Sequence, residues 1–383
     1  MRKVFLMVIT IIMLSSYGQY GTADIDDEQN SQPVPTTVED DLKVVIDDDI
    51  LQPVSATVDG SLQVVIEPRI ELLTIIQYLG DYGVLTLLDS QYKNDIDVYF
   101  GEFREHVAVT TFIELSHRGF WFDAPIRLLI NSGQLPELEV SNDLPVDFIN
   151  RIGGYDTTRE FLDYMNEFYE VTNFSNFFEE HRDQYSQIVQ DFQSRIRSYE
   201  SVNTLESYYG TTQNSYTIVM APLLHYGGYG FREKLNDGGY DAYTVIGPRH
   251  LDNSEFVFDA GALIFHEFGH SFVKPLVDLH SDDINEHIDL FEDVQDTMTK
   301  MGYGDWITTI EEHIVRAVVI RISLESVDYE EYNRFVEMEY NRGFIYIEDV
   351  LKQLEYYENN REKYATFQDF LPVLIHSFED MNK

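Results

Sequence analysis

The stretch Gly261-Ala-Leu-Ile-Phe-His-Glu-Phe-Gly-His-Ser-Phe-Val273 carries the pentapeptide His266-Glu267-Phe268-Gly269-His270. Leu263, Ile264, Phe268 and Phe272 recur at helical spacing, so the segment reads as a buried helix. Asp259 is its expected N-cap and Pro275 its expected end. Side chains four residues apart on a helix lie one above the other, so His266 and His270 can present two imidazole nitrogens to one ion. Glu267 is turned about 100° from His266 and can address water beside that ion without ligating it. Imidazole with carboxylate suits zinc, and Zn²⁺ is the expected cofactor.

A third ligand must come from further along. The extended form HExxHxxGxxH is absent, because Val273 and Leu276 stand where its Gly and third His would be. Downstream, Thr308–Ile322 is strongly helical, with Ile310, Ile314, Ala317, Val318 and Ile322 placed to face the core. Glu312 on this helix is the expected third ligand, at i, i+4 from Arg316. Glu311 is the adjacent alternative, and His280, Glu286 and Glu292 lie nearer in sequence.

The whole chain narrows the choice of chemistry. Its 383 residues are 44% hydrophobic and 14% aromatic, too apolar for a disordered protein. With no Cys, disulfide scaffolds, thiol nucleophiles and cysteine-ligated metals drop out. The 68 acidic against 26 basic residues, a net charge of −42, would repel phosphate backbones, so no nucleic-acid partner is expected. Serine chemistry has no support, since no GxSxG elbow is present.

Outward from the motif, the organisation falls into three parts. Residues 1–18 have a basic start (Arg2, Lys3), an apolar run Val4–Leu14 and then small residues, the pattern of a secretory signal peptide. Export to the periplasm or the exterior is therefore expected, with no membrane anchor after cleavage. Residues 19–60 read as an acidic leader with 11 Asp/Glu and one Lys. It holds the first copy of a twenty-residue repeat: Gln32-Pro-Val…Val-Val-Ile46 returns as Gln52-Pro-Val…Val-Val-Ile66. Residues 61–383 read as one helix-rich body. Leu62–Ile66, Tyr216–Leu224 and Tyr240–Gly247 are expected strands. Ile70–Leu79, a segment capped by Thr157 with Glu160, and a Tyr185–Ile196 stripe are expected helices. His225-Tyr-Gly-Gly-Tyr-Gly230 reads as a hairpin connection between strands. The fold class is α+β, helix-rich with a small mixed sheet and the HExxH helix at its active site.

His266-Glu-Phe-Gly-His-Ser-Phe-Val with downstream Glu312-His-Ile-Val-Arg-Ala resembles the gluzincin class, two His on one helix and a Glu on the next. More closely, it resembles a family of secreted bacterial proteins catalogued as a domain of unknown function and regarded as gluzincin-like. Ile70-Glu-Leu-Leu, Phe122-Asp-Ala-Pro125 and Gly227-Gly-Tyr-Gly230 share in the resemblance, which spans about residues 65–380. One departure is Lys274, where that family often carries Asn before the Pro. The resemblance implies a zincin-like fold and no established substrate.

These readings together predict a secreted zinc-dependent metallohydrolase, a peptidase and by default an endopeptidase. Its ligands would be His266, His270 and Glu312, its general base Glu267 and its partner a peptide or protein substrate. His225, Tyr226, Tyr229, Tyr303 and His313 are candidate oxyanion donors, and Tyr240–Gly247 is a candidate strand for pairing with substrate. The alternative is a catalytically idle zinc-binding or peptide-binding secreted module. Oligomeric state has no sequence signal.

Overall fold

β1 (Val54–Asp59) and β2 (Leu62–Ile66) form an antiparallel hairpin that turns at Gly60-Ser61. A computed structural model describes residues 51–142, 144–196, 201–235, 238–324 and 328–381. The expected signal peptide, the leader up to residue 50 and the first repeat copy lie outside the described residues. The second copy is this hairpin, so the strand β1 falls within the stretch read as leader.

Helix α1 (Pro68–Leu79) follows at once. Pro68 stands at its first position, Glu67 caps it and Gly80 ends it. Then come α2 (Gln91–Phe100), α3 (Val107–Ser116), α4 (Asp123–Ile130), α5 (Val146–Arg151), α6 (Tyr155–Thr172), α7 (Phe174–Glu180), α8 (Arg182–Ile196) and α9 (Ser201–Tyr209). The expected stripes are buried: Phe161, Met165 and Phe168 on α6, and Tyr185, Ile188, Val189, Phe192 and Ile196 on α8. Thr157 is not a cap, because α6 begins two residues earlier behind Gly154. Gly154 at φ 89° makes a backbone turn there that Thr157, already in the helix, cannot make.

The sheet is completed by β3 (Ser215–Met220), β4 (Gly227–Lys234) and β5 (Tyr240–Gly247) in the order β1-β2-β3-β5-β4. β2, β3 and β5 run parallel, while β1 and β4 are antiparallel to their neighbours. Leu62 of β2 stands opposite Tyr216 of β3, which joins chain segments far apart in sequence. β6 (His250–Asp252) and β7 (Glu255–Val257) make a separate ribbon. This is a helix-rich α+β architecture with a small mixed sheet. Two strand readings need correction. Gly227–Gly230 belong to β4 itself and not to a connection. Tyr240–Gly247 is an interior strand, paired on both sides, so it has no free edge to offer. The edge on that side is β4.

After the sheet come α10 (Ala262–Leu279), α11 (Ser281–Asn285), α12 (Gln295–Lys300), α13 (Trp306–Ser323), α14 (Tyr329–Arg342), α15 (Ile347–Asn359), α16 (Phe367–His376) and α17 (Phe378–Met381). α10 packs on β4 and β5 with one face and on α13 and α9 with the others. Phe268 meets Tyr216 edge-on at 5.3 Å, and Phe272 stacks on Tyr209 at 4.6 Å. α10 does not stop at Pro275 but runs four residues past it. The proline forfeits one backbone hydrogen bond, and the fully buried Val277 two residues on keeps the helix seated. Asp259 is not the N-cap either; Gly261 occupies that position, and Asp259 accepts from its N–H at 2.8 Å. No described helix is long and apolar enough to cross a membrane.

Candidate metal centre

Two close approaches set the site. Gly269 of α10 faces Val315 of α13, and a Cβ there would lie 3.1 Å from a Val315 methyl. Gly230 of β4 lies against α10, and a Cβ there would fall 1.6 Å from the Glu267 carbonyl oxygen. With no side chain at either place, α10 is clasped between the sheet edge and α13.

His266 and His270 lie one turn apart on α10, with ring centroids 5.0 Å apart and planes nearly perpendicular. Across from them stands Glu312 of α13. Its Oε2 is 3.6 Å from His266 Nε2 and its Oε1 is 3.4 Å from His270 Nε2. One ligand atom from each of the three residues falls within 4.8 Å of the other two. Donors on a tetrahedron about 2.1 Å from a common centre stand about 3.4 Å apart, so the measured spacings fit one small ion. Two imidazoles and one carboxylate are also the donor chemistry of such an ion, not the all-oxygen set of calcium.

The surrounding side chains orient these donors. Glu311 accepts from His270 Nδ1 at 2.7 Å, which turns Nε2 toward Glu312. Glu311 thus pairs with a candidate ligand, and it is Glu312 that joins the two histidines in the group that could hold an ion. Glu286 and Glu292 are exposed, and His280 pairs with Asp283. His266 Nδ1 is buried with no hydrogen-bond partner among the described residues. On the far side of Glu312, Arg316 donates to Oε2 through Nε at 3.1 Å, and its Nη2 lies 3.0 Å from the same oxygen. The pair foreseen at i, i+4 therefore exists, but buried and not at the surface.

Charge at the site follows from burial and from these neighbours. Burial alone would push the Glu312 carboxyl up, yet Arg316 and the two histidines hold it at about 2. Burial pushes His266 well below the usual imidazole range. Burial works the same way on His270, but the Glu311 and Glu312 carboxylates override it and raise the ring to about 9. Glu267 is raised to about 7, chiefly by burial; a hydrogen bond from the Gly230 amide pulls the other way.

Residues 62–377 match the model of a family described as a domain of unknown function (DUF4932). The chain belongs to that family. No curated protein matches the chain, and no solved structure does. The matched family region begins at the first residue of β2 and holds all four of His266, Glu267, His270 and Glu312.

Among the candidate oxyanion donors, Tyr303 is joined to the candidate ligand Glu312 through Arg316. Its hydroxyl accepts from Arg316 Nη2 at 3.2 Å, one residue removed from Glu312. Burial is the main cause that lifts its phenol above the ordinary range, so it stays protonated. His313 is fully buried and points elsewhere, with Nδ1 on the Thr309 carbonyl at 2.7 Å. His225 and Tyr229 pair with each other at 3.1 Å, and Tyr226 bonds Asp259. Sequence reasoning missed Glu339, which holds Arg316 from α14 at 3.2 Å. No local spacing links residues 23 apart on different helices.

Proposed function

We propose that this protein is a zinc-dependent hydrolase of zincin-like, gluzincin-type architecture, most simply an exported endopeptidase. The observation that carries the reading is the convergence of His266, His270 and Glu312 around one point, with Glu267 next to it on the same helix. His266 and His270 would hold zinc through Nε2 and Glu312 through a carboxylate oxygen. Bound there, zinc supplies a Lewis acid that acidifies water and polarises a carbonyl group. Glu267 takes the proton of the attacking water and returns it to the leaving amine. The Tyr303 hydroxyl donates to the developing oxyanion. An extended peptide adds to the edge strand β4, which touches α10 at Glu267. Export rests on the N-terminal sequence pattern.

The test is metal content and turnover of the chain from residue 19, beside three variants. One zinc per chain is expected, lost in His266→Ala and Glu312→Ala. Glu267→Gln should keep the metal while peptide hydrolysis falls about 100-fold or more. Zinc with no turnover would leave an idle metal-binding module instead. A chain that takes up no metal after reconstitution would end the reading.

A further inference from the structure

The side chain that departs most from an ordinary helix-surface pairing is Arg316. It is 6% exposed, and four groups hold its guanidinium. Nε donates to Oε2 of Glu312, with Nη2 in ion-pair contact with the same oxygen; Nη1 donates to Oε2 of Glu339 at 3.2 Å, and Nη2 donates to the Tyr303 hydroxyl. The Phe344 ring lies beneath it, 4.2 Å from the guanidinium carbon. Glu339 is anchored in turn by Arg342, through contacts of 3.2 and 3.4 Å. The cluster alternates in sign: Glu312, Arg316, Glu339, Arg342. Its charges cancel without any metal.

The asymmetry at Glu312 is the informative feature. A carboxylate oxygen has about two lone-pair positions. Arg316 engages Oε2, by a hydrogen bond from Nε and the close approach of Nη2. Oε1 lies 3.4 Å from His270 Nε2, and Oε2 lies 3.6 Å from His266 Nε2. The guanidinium fork is tied at once to Glu312, Glu339 and Tyr303, as a point-like ammonium would not be.

We propose that Arg316, held by Glu339, is the positioning residue of the metal site: it latches Oε2 of Glu312, and so sets the site's coordination and affinity. This rests on the reading that His266, His270 and Glu312 hold zinc. Arg316 acts on the metal through Glu312, and its second contact, with the Tyr303 hydroxyl, ties that side chain to the same hold. The latch holds the carboxylate in place before the ion arrives, so no reorganisation is needed on binding. Partners of this kind, one step removed from a metal, are typically worth 10- to 100-fold in affinity.

The experiment compares the wild-type chain with Arg316→Lys, Glu339→Gln and the double variant Arg316→Met with Glu339→Gln. The double variant removes the Arg316–Glu339 pair as a unit, so the net charge of the cluster is unchanged. Arg316→Lys keeps the charge and loses the fork. Zinc affinity is read by chelator competition, and the visible spectrum of the cobalt(II)-loaded chain reports the ligand set. Thermal unfolding of the metal-free chains reports the fold. Expected are a 10- to 100-fold loss of zinc affinity and an altered cobalt spectrum in the double variant. Arg316→Lys should fall between, and Glu339→Gln, which retains an acceptor for Arg316, should stay near wild type. A merely structural role would lower the melting temperature while affinity and spectrum stayed within twofold of wild type; that result overturns the proposal and leaves the metal site standing. A wild-type chain that binds neither zinc nor cobalt overturns both.

Discussion

At the scale of single residues, Glu71 links burial to a measurable pH dependence. It sits in the first turn of α1, 1% exposed. Tyr92 donates to its Oε1 at 2.5 Å and also lies 2.6 Å from the Tyr185 hydroxyl, while Oε2 is buried with no hydrogen-bond partner among the described residues. Burial raises the carboxyl from 4.5 to about 7, although the Tyr92 bond opposes this. The folded-state value thus exceeds the unfolded one. The associated stability is complete below pH 4.5 and is lost as pH rises to about 7, roughly 3 kcal/mol in all. Glu71→Gln keeps an acceptor for Tyr92 and cannot ionise. Denaturant unfolding of both chains across pH 4–8 should show the variant gaining on wild type through that window; parallel profiles would refute the assignment. The candidate ligands were far more legible than Glu71. HExxH spacing alone names His266 and His270 on one helix face. Glu312 over Glu311 was a choice between side chains 100° apart, and only the facing of α13 toward α10 decides it. The tyrosine partners of Glu71 come from α2 and α8, and no spacing announces them.

Among elements, the contact of β4 with α10 carries the most consequence. Gly230→Ala would drive a methyl group into the Glu267 carbonyl. Stability should fall by about 1–3 kcal/mol, or β4 should back away from the helix with loss of any activity that depends on Glu267. Gly60→Ala, in open space at the hairpin turn, is the control and should cost far less. Unfolding midpoints of the two variants decide this. Element identity was readable wherever one periodicity dominated. β5 lies on its expected residues, as does β2, and α1 ends at Gly80 as its sequence indicates. What failed were local signals overridden by context. Thr157-x-x-Glu160 has the composition of a capping box, but the working box is Thr366 with Asp369, at the start of α16. Pro275 is a stop signal in isolation, and packing of the last turn of α10 carries the helix past it. The Gly-rich run at 227–230 looks like a turn and is a strand, because glycine there serves close approach and not chain reversal.

For the molecule as a whole, the described sheet begins at Val54, ahead of the family-matched region. β1 is not loosely attached. Val54 is buried, Gln193 of α8 donates to the Thr57 carbonyl at 2.5 Å, and Arg182 donates to the Gln52 carbonyl at 3.0 Å. A chain starting at Ser61 would bare the outer edge of β2 and uncover part of α8. It should melt several degrees below a chain starting at Leu51, for a loss of about 2 kcal/mol. Equal melting temperatures would make residues 51–60 dispensable. The same sheet dictates a timetable. β2 and β3 are neighbours in space, yet nine α-helices among the described residues separate them in the chain, and β5 must follow before the parallel core closes. Contacts of such long range are entropically slow to form. During synthesis, then, β2 waits without its partner until well past residue 200 has emerged. The candidate ligands come later still, on α10 and α13. The nascent chain should stay protease-sensitive over most of its length and become resistant late, in a step that pulse proteolysis on arrested chains would resolve.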